Sequence, residues 1–167
     1  MLIVLDQQGL LLVRQVDDLA AYHGVHARVT RVIDGDTVEI DLPDALNDSP
    51  VTRIRLWGID CPEMARFNNP AELLALEAAT MVQTLLGDDG EVLLWLESHQ
   101  TRDRFSRVLA HVELPDGTVL NEALLEAGLA RADDRWPHIH LVRYAQVEHA
   151  ARRRGIGLWS QPERTAQ

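Results

Sequence analysis

The stretch Val25-His-Ala-Arg-Val-Thr-Arg-Val-Ile-Asp34-Gly-Asp36-Thr-Val-Glu-Ile-Asp-Leu42 decides the fold. Two runs rich in Val, Ile and Thr flank an Asp-Gly pair, the commonest short-hairpin signature, because glycine supplies a positive φ at little steric cost. A third strand-like run at 51–58 follows Leu42-Pro-Asp-Ala-Leu-Asn-Asp-Ser-Pro50, which has loop composition with proline at both ends. Consecutive strands joined this closely predict antiparallel neighbours.

Outward from this core, residues 1–14 read as a further hairpin, with apolar Leu2–Leu5 and Leu10–Val13 about a turn at Asp6-Gln-Gln-Gly9. Val16–Tyr22 suits a short helical turn. Asn69-Pro70 has the composition of an N-cap followed by proline at the first helical position. Leu74, Ala78, Met81, Val82 and Leu85 then share one helical face, and Gly87 can end the helix. Glu91–Glu97 and Val108–Leu114 read as strands, the second closed by Pro115-Asp-Gly117. Asn121 can cap a short helix ending at Gly128, and a last helix runs from about Ile139 to Arg154, stopping at Gly155. Strands, helix, strands, helix, helix, without regular βαβ alternation, predict an α+β domain on a small antiparallel barrel.

A chain of 167 residues, 46% hydrophobic and 25% charged, suits one globular domain with a sizeable core. Cys61 is the only cysteine, which excludes a disulfide framework or a thiolate zinc cluster within one chain. No apolar run approaches the roughly 18 residues of a membrane span, and Met1-Leu-Ile-Val-Leu-Asp6 lacks the basic region of a signal peptide. The expectation is a cytoplasmic protein with no membrane partner. Net charge is −10, and every fixed cation is an arginine. Residues 1–50 hold three arginines against nine acids and 51–100 three against eight, whereas 101–167 hold ten against nine. An acidic balance argues against a nucleic-acid partner unless some early acids are metal ligands. Arginine-only chemistry favours planar, bidentate phosphate contacts.

Three motifs bear chemistry. Asp34-Gly-Asp36-Thr37 is a turn in its simplest reading, with Asp36 opening the next strand where its carboxylate can face a ligand. Arg55-Leu-Trp-Gly-Ile-Asp60-Cys-Pro-Glu63 puts an arginine and two acids at a strand end. Arg55 and Asp60 lie five apart and would project to opposite faces of a regular strand, so their convergence requires a bend near Gly58 or a turn at Asp60. Arg102-Asp-Arg104-Phe105-Ser-Arg107 reads most simply as a solvated charged turn, as most charge runs are. Phe105 weighs against pure solvation, because an aromatic interleaved with arginines is the composition of a phosphate-contacting, base-stacking loop. His138, His140 and His149 do not form a metal set on spacing alone, and Cys61 as a nucleophile would need a histidine base that the sequence does not place. Trp159 and Arg152-Arg-Arg154 read as packing and a solvated helix end.

Taken in order, Val32-Ile-Asp-Gly-Asp-Thr-Val38, Arg55-Leu-x-Gly-Ile-Asp-x-Pro-Glu63, Asp103-Arg-Phe-Ser-Arg107, Leu120-Asn-Glu-Ala-Leu-Leu-Glu-Ala-Gly-Leu-Ala130 and Glu148-x-x-Ala-Arg-x-x-x-x-Gly-Leu-Trp-Ser160 resemble the staphylococcal nuclease (thermonuclease) family. The resemblance spans roughly 27–160. It implies a five-stranded OB-fold barrel with three helices over 23–160, an N-terminal extension at 1–22 and a tail at 161–167. It also implies a Ca²⁺-dependent phosphodiesterase acting on DNA and RNA. By motif position, Asp36 and Asp60 are similar to the calcium carboxylates and Asp34 to a supporting acid. Cys61 stands where the family usually has threonine and contributes its backbone carbonyl. Arg55 and Arg107 match the phosphate arginines and Glu63 the general base, while Arg104, Phe105 and Trp136 are substrate-contact candidates. Two departures stand out: the lysine-free acidic surface, and Ala132-Asp-Asp-Arg-Trp-Pro137 in place of a tyrosine-rich segment, where Asp133 and Asp134 would repel phosphate if they pointed inward. Two other readings remain, a barrel that binds without cleaving and an interaction protein that self-associates through residues 1–14.

Overall fold

In a computed structural model, which describes residues 17–65 and 70–160, the decisive stretch forms β1 (Val25–Asp34) and β2 (Thr37–Ile40). They are followed by β3 (Thr52–Leu56), β4 (Ile59–Asp60), β5 (Glu91–Trp95), β6 (Val108–Glu113) and β7 (Arg131–Ala132). Residues 17–22 are helical (α1), and three longer elements follow as α2 (Ala75–Leu86), α3 (Leu120–Glu126) and α4 (Leu141–Arg154). The hairpin expected at 1–14 and the tail at 161–167 lie outside the described residues.

Five strands close into a barrel in the order β1-β2-β3-β6-β5, with β5 pairing back onto β1. Closure depends on β1, whose first half pairs with β5 and whose second half pairs with β2. Register shifts between Val29 and Arg31 and between Val32 and Asp34 bend the strand, as bulges do. β3 and β6 run parallel, against the expected all-antiparallel barrel. The reversal follows from the long excursion through α2 and β5, which returns the chain to β3 from the opposite end. The result is an α+β OB-fold.

Alternation along the strands fills the barrel. On β3, Thr52, Ile54 and Leu56 point inward while Arg53 and Arg55 point out. Val38, Ile40, Val92, Leu94, Val108 and Val112 complete the interior, each contributing about 1.5–3 kcal/mol on full burial. α2 lies on the barrel through Ala75, Ala78, Ala79 and Val82, with Met81 and Leu85 packed beside them, close to the predicted face. It begins at Ala75 rather than near Pro70. Leu74 caps it with a positive φ of 69°, and Asn69 lies outside the described residues.

Two sequence expectations change their meaning. Gly35 does not supply a positive φ. It is needed because a Cβ there would lie 2.6 Å from Ala78 Cβ and 2.9 Å from Cys61 Sγ, so the turn touches α2 and the Cys61 segment directly. Asn121 does not cap α3, whose N-cap is Val119. Its buried amide accepts from Val112 N (3.0 Å) and donates to Trp57 O (2.9 Å), tying β6 to the end of β3. Asn121→Ala leaves that buried Val112 N–H without an acceptor and is expected to cost about 1–3 kcal/mol. A lowered urea midpoint at unchanged m-value is the corresponding readout.

Candidate active site

The β1–β2 turn, the end of β3 and β4 bring four of the motif residues together. Gly58, at φ +78°, turns the chain sharply after β3, the bend that convergence of Arg55 and Asp60 requires. Arg55 Nη2 then reaches Asp60 Oδ1 at 2.7 Å, and Arg55 Nη1 forms an ion pair with Asp36 Oδ2. Asp36 is buried and held at both oxygens, by Thr37 Oγ1 (3.0 Å) on one and by the Cys61 amide (2.8 Å) on the other. Asp34, also buried, accepts from the Asp36 amide at 3.3 Å.

Three carboxylates thus surround one guanidinium. Burial pulls Arg55 below the usual arginine range, the Asp60 charge opposes that fall and the like charge of Arg107 adds to it. An arginine nevertheless stays protonated at any physiological pH. Cys61 is buried, and desolvation pushes its thiol up to about 12 despite the nearby Arg55 charge. It is therefore a neutral thiol at neutral pH, with no nucleophilic role.

Arg107 approaches from the loop before β6. Its Nε lies 2.7 Å from Asp103 Oδ2 and its Nη1 3.2 Å from Thr37 Oγ1, the neighbour of Asp36. Asp103 also accepts from the amides of Phe105 (2.8 Å) and Arg107 (3.0 Å), so it shapes the whole loop. Sequence reasoning gives it no role, although the Asp-x-x-x-Arg spacing is the signal that could have found it. Phe105 is 64% exposed, with Arg104 Cζ 4.6 Å and Arg107 Cζ 5.5 Å from its ring centroid. Arg107, Phe105, Thr37 and the exposed Glu63 border one groove of about 790 Å³. Glu63 is fixed through its backbone, which exchanges bonds with Glu72: Glu63 N to Glu72 Oε2 at 3.2 Å and Glu72 N to Glu63 O at 2.9 Å.

A smaller cleft of about 110 Å³ lies beside Arg55, lined also by Asp103, Asp133, Arg135 and the exposed Trp136. Burial alone would raise Asp133, but Arg135 grips both its oxygens at 2.7 Å and holds it below the usual carboxylate range. Of the two acids expected to repel phosphate, Asp133 is therefore already paired, while Asp134 is exposed. Arg135 carries no signal in the sequence that would single it out.

Barrel and site together define an OB-fold protein with an acid–arginine centre at the barrel rim. Residues 53–161 match the model of the staphylococcal nuclease homologue family. Among similar proteins are one named an uncharacterised endonuclease in Escherichia coli, 30% identical over 136 residues (81% of this chain, 78% of that protein), and the thermonuclease of Staphylococcus hyicus, 32% identical over 134 residues (80% and 75%). The thermonuclease of Staphylococcus intermedius is 31% identical over 132 residues (78% and 74%). The chain belongs to the staphylococcal nuclease family.

Proposed function

We propose that this nuclease hydrolyses phosphodiester bonds of DNA or RNA with a Ca²⁺ ion held by Asp36, Asp60 and the Cys61 backbone carbonyl, supported by Asp34. The observation that carries the reading is the convergence of Asp36, Arg55 and Asp60 from three elements, beside a groove bordered by Arg107 and Glu63. The donors fit: Asp34, Asp36 and Asp60 offer only hard oxygen atoms, and their charge exceeds that of the one guanidinium among them, which suits a hard divalent cation. Bound there, the ion would supply Lewis-acid polarisation of the phosphate.

The protein's own groups do the rest. Arg55 and Arg107 hold non-bridging phosphate oxygens, stabilising the extra negative charge that develops as water adds to phosphorus. To do so, each exchanges part of a carboxylate contact for phosphate, Arg55 from Asp36 and Asp60 and Arg107 from Asp103. Glu63 accepts the proton of the attacking water. Phe105, flanked by Arg104 and Arg107, offers a stacking face for a base, and Trp136 offers another near Arg55. Asp44, Asp103 and Asp133 are each paired with an arginine, so none of these three carboxylates meets the polymer as a bare charge.

Incubation of the purified protein with single-stranded DNA, double-stranded DNA and RNA, in Ca²⁺ and then in EDTA, tests the proposal. Cleavage of at least one substrate is expected in Ca²⁺ and none in EDTA. Absence of cleavage on all three in Ca²⁺ would refute it. Rates are also expected to fall steeply with added salt, because polymer binding rests on phosphate contacts.

A further inference from the structure

Glu97, just past β5, His111 on β6 and His138, ahead of α4, converge on the inner side of the turn that joins Arg55 to Asp60. One ligating atom from each lies within 4.8 Å of the other two. Glu97 Oε1 lies 3.0 Å from His111 Nε2 and also accepts from the Ile139 amide at 2.9 Å. His111 Nδ1 lies 2.9 Å from Tyr144 Oη. His138 differs from these: it is only 8% exposed, yet neither of its ring nitrogens has a hydrogen-bond partner among the described residues. A neutral imidazole has an N–H on one nitrogen and a lone pair on the other, and leaving both unmade in the interior is costly. The ring is nonetheless fixed there, because it packs against Gly58, where a Cβ would lie 2.5 Å from His138 Cε1. His140 packs edge-on against His111 with ring centroids 4.5 Å apart.

We propose that Glu97, His111 and His138 bind a Zn²⁺ ion, with His140 or a water as fourth ligand, and that this ion is structural. Two imidazoles and a carboxylate form a borderline donor set that selects zinc, whereas the Asp34, Asp36 and Asp60 site is all oxygen. Zinc–ligand bonds of about 2.0–2.2 Å put neighbouring donors roughly 3.3–3.5 Å apart in a tetrahedron. Glu97 and His111 already stand near that spacing. The remaining closure falls to His138, whose nitrogens are held by no hydrogen bond among the described residues. Ligation through His111 Nε2 leaves its proton on Nδ1, directed at Tyr144 Oη, the orienting bond a metal-bound histidine usually makes.

The ion would join β5 and β6 to the 133–138 segment. That segment contains Trp136, and its Asp133 amide already donates to Gly58 O at 2.9 Å. The ligands are too enclosed to meet a polymer, so the ion would stiffen the shelf under Arg55 and Asp60 rather than touch the substrate.

Zinc titration of the chelator-stripped full chain, followed by calorimetry and by thermal melting, tests this. One Zn²⁺ per chain with a raised Tm is expected. H138Q and E97Q should each weaken binding on the order of 100-fold or more, while D36N should leave it unchanged. Wild-type protein loaded with Co²⁺ should show the intense visible absorption of a tetrahedral site, a readout that needs no variant to fold. No saturable Zn²⁺ binding by the wild type would overturn the proposal, as would binding that D36N abolishes and H138Q leaves intact.

Discussion

Arg102→Met is expected to destabilise the protein by about 3–5 kcal/mol, the largest single-residue loss outside the barrel interior. Arg102 is the charge at the centre of a buried acid–base–acid triad. Its Nε and Nη2 engage Asp18 of α1 at 2.7–3.0 Å, and its Nη1 reaches Asp44 Oδ2 at 2.9 Å and Ser106 O at 2.8 Å. The three side chains are 8%, 7% and 2% exposed. Methionine can replace the stem but not the charge, leaving two carboxylates desolvated without a cation. Thr101 Oγ1 on Asp18 and Asn47 Nδ2 on Asp44 offset only part of that loss. The pH dependence should change sign with it. In the wild type, burial would raise Asp44 but the bonds from Arg102 and Asn47 win and lower it. Its stabilisation is therefore full above the unfolded value of 3.8 and is lost as pH falls through the still lower folded value. Without Arg102, burial dominates and the folded pKa rises above the unfolded one, so the variant should gain stability as pH falls from neutrality towards 4. Urea melts of both proteins between pH 7 and pH 4 would show the two slopes; parallel slopes would sink this account.

That triad is invisible in the sequence, and the reason is general. Asp18, Asp44 and Arg102 come from a helix, a loop and a second loop far apart in the chain, and no short-range pattern marks three charges that meet only after the barrel closes. Arg102 reads as one member of a charged loop. What periodicity and turn chemistry can show is local: the strands around Asp34-Gly-Asp36, the apolar face of α2 and the stop of α4 at Gly155, which does take a left-handed φ of 62°. The parallel pairing of β3 with β6 is not legible, because strand direction depends on the path between strands and not on their composition. Asn121 shows the same limit from the other side. A polar residue at a helix start reads as a cap, and only the fold reveals that its amide is spent on Val112 and Trp57.

The acid–arginine centre is more legible than the fold, since its residues sit on contiguous motifs at turns whose geometry is locally determined. The demand for a bend between Arg55 and Asp60 comes from strand geometry alone, and Gly58 meets it. The motifs cannot show what each charged group does before substrate arrives. Arg55 lies between Asp36 and Asp60, Arg107 on Asp103, and Arg135 on Asp133, so each arginine begins with a carboxylate partner. The Glu97–His111–His138 cluster is likewise out of reach, because histidine spacing within 138–149 excludes a metal set while the needed partners lie on β6 and just past β5.

Glu63→Gln is expected to lower kcat by about 10²–10⁴-fold, the range that removal of a general base commands, with little change in stability or Ca²⁺ binding. The separation follows from how the residue is held. The substitution retains the two bonds that the Glu63 backbone makes with Glu72, and it falls on an exposed side chain. Surface substitutions of this kind usually stay within about 0.5 kcal/mol. The amide keeps the length of the side chain and a hydrogen-bonding head, and loses the negative charge together with the capacity to take a proton. A fall in kcat at constant KM therefore isolates proton abstraction from substrate binding, whereas removal of Arg55 would disturb Asp36 and Asp60 at once and confound the two. Calcium titration of the variant should give the wild-type affinity, because the proposed ligands Asp36 and Asp60 are untouched. Wild-type turnover by the variant would remove Glu63 from the chemistry and leave the water to be activated without it; a matching loss of Ca²⁺ affinity would instead make Glu63 a metal ligand.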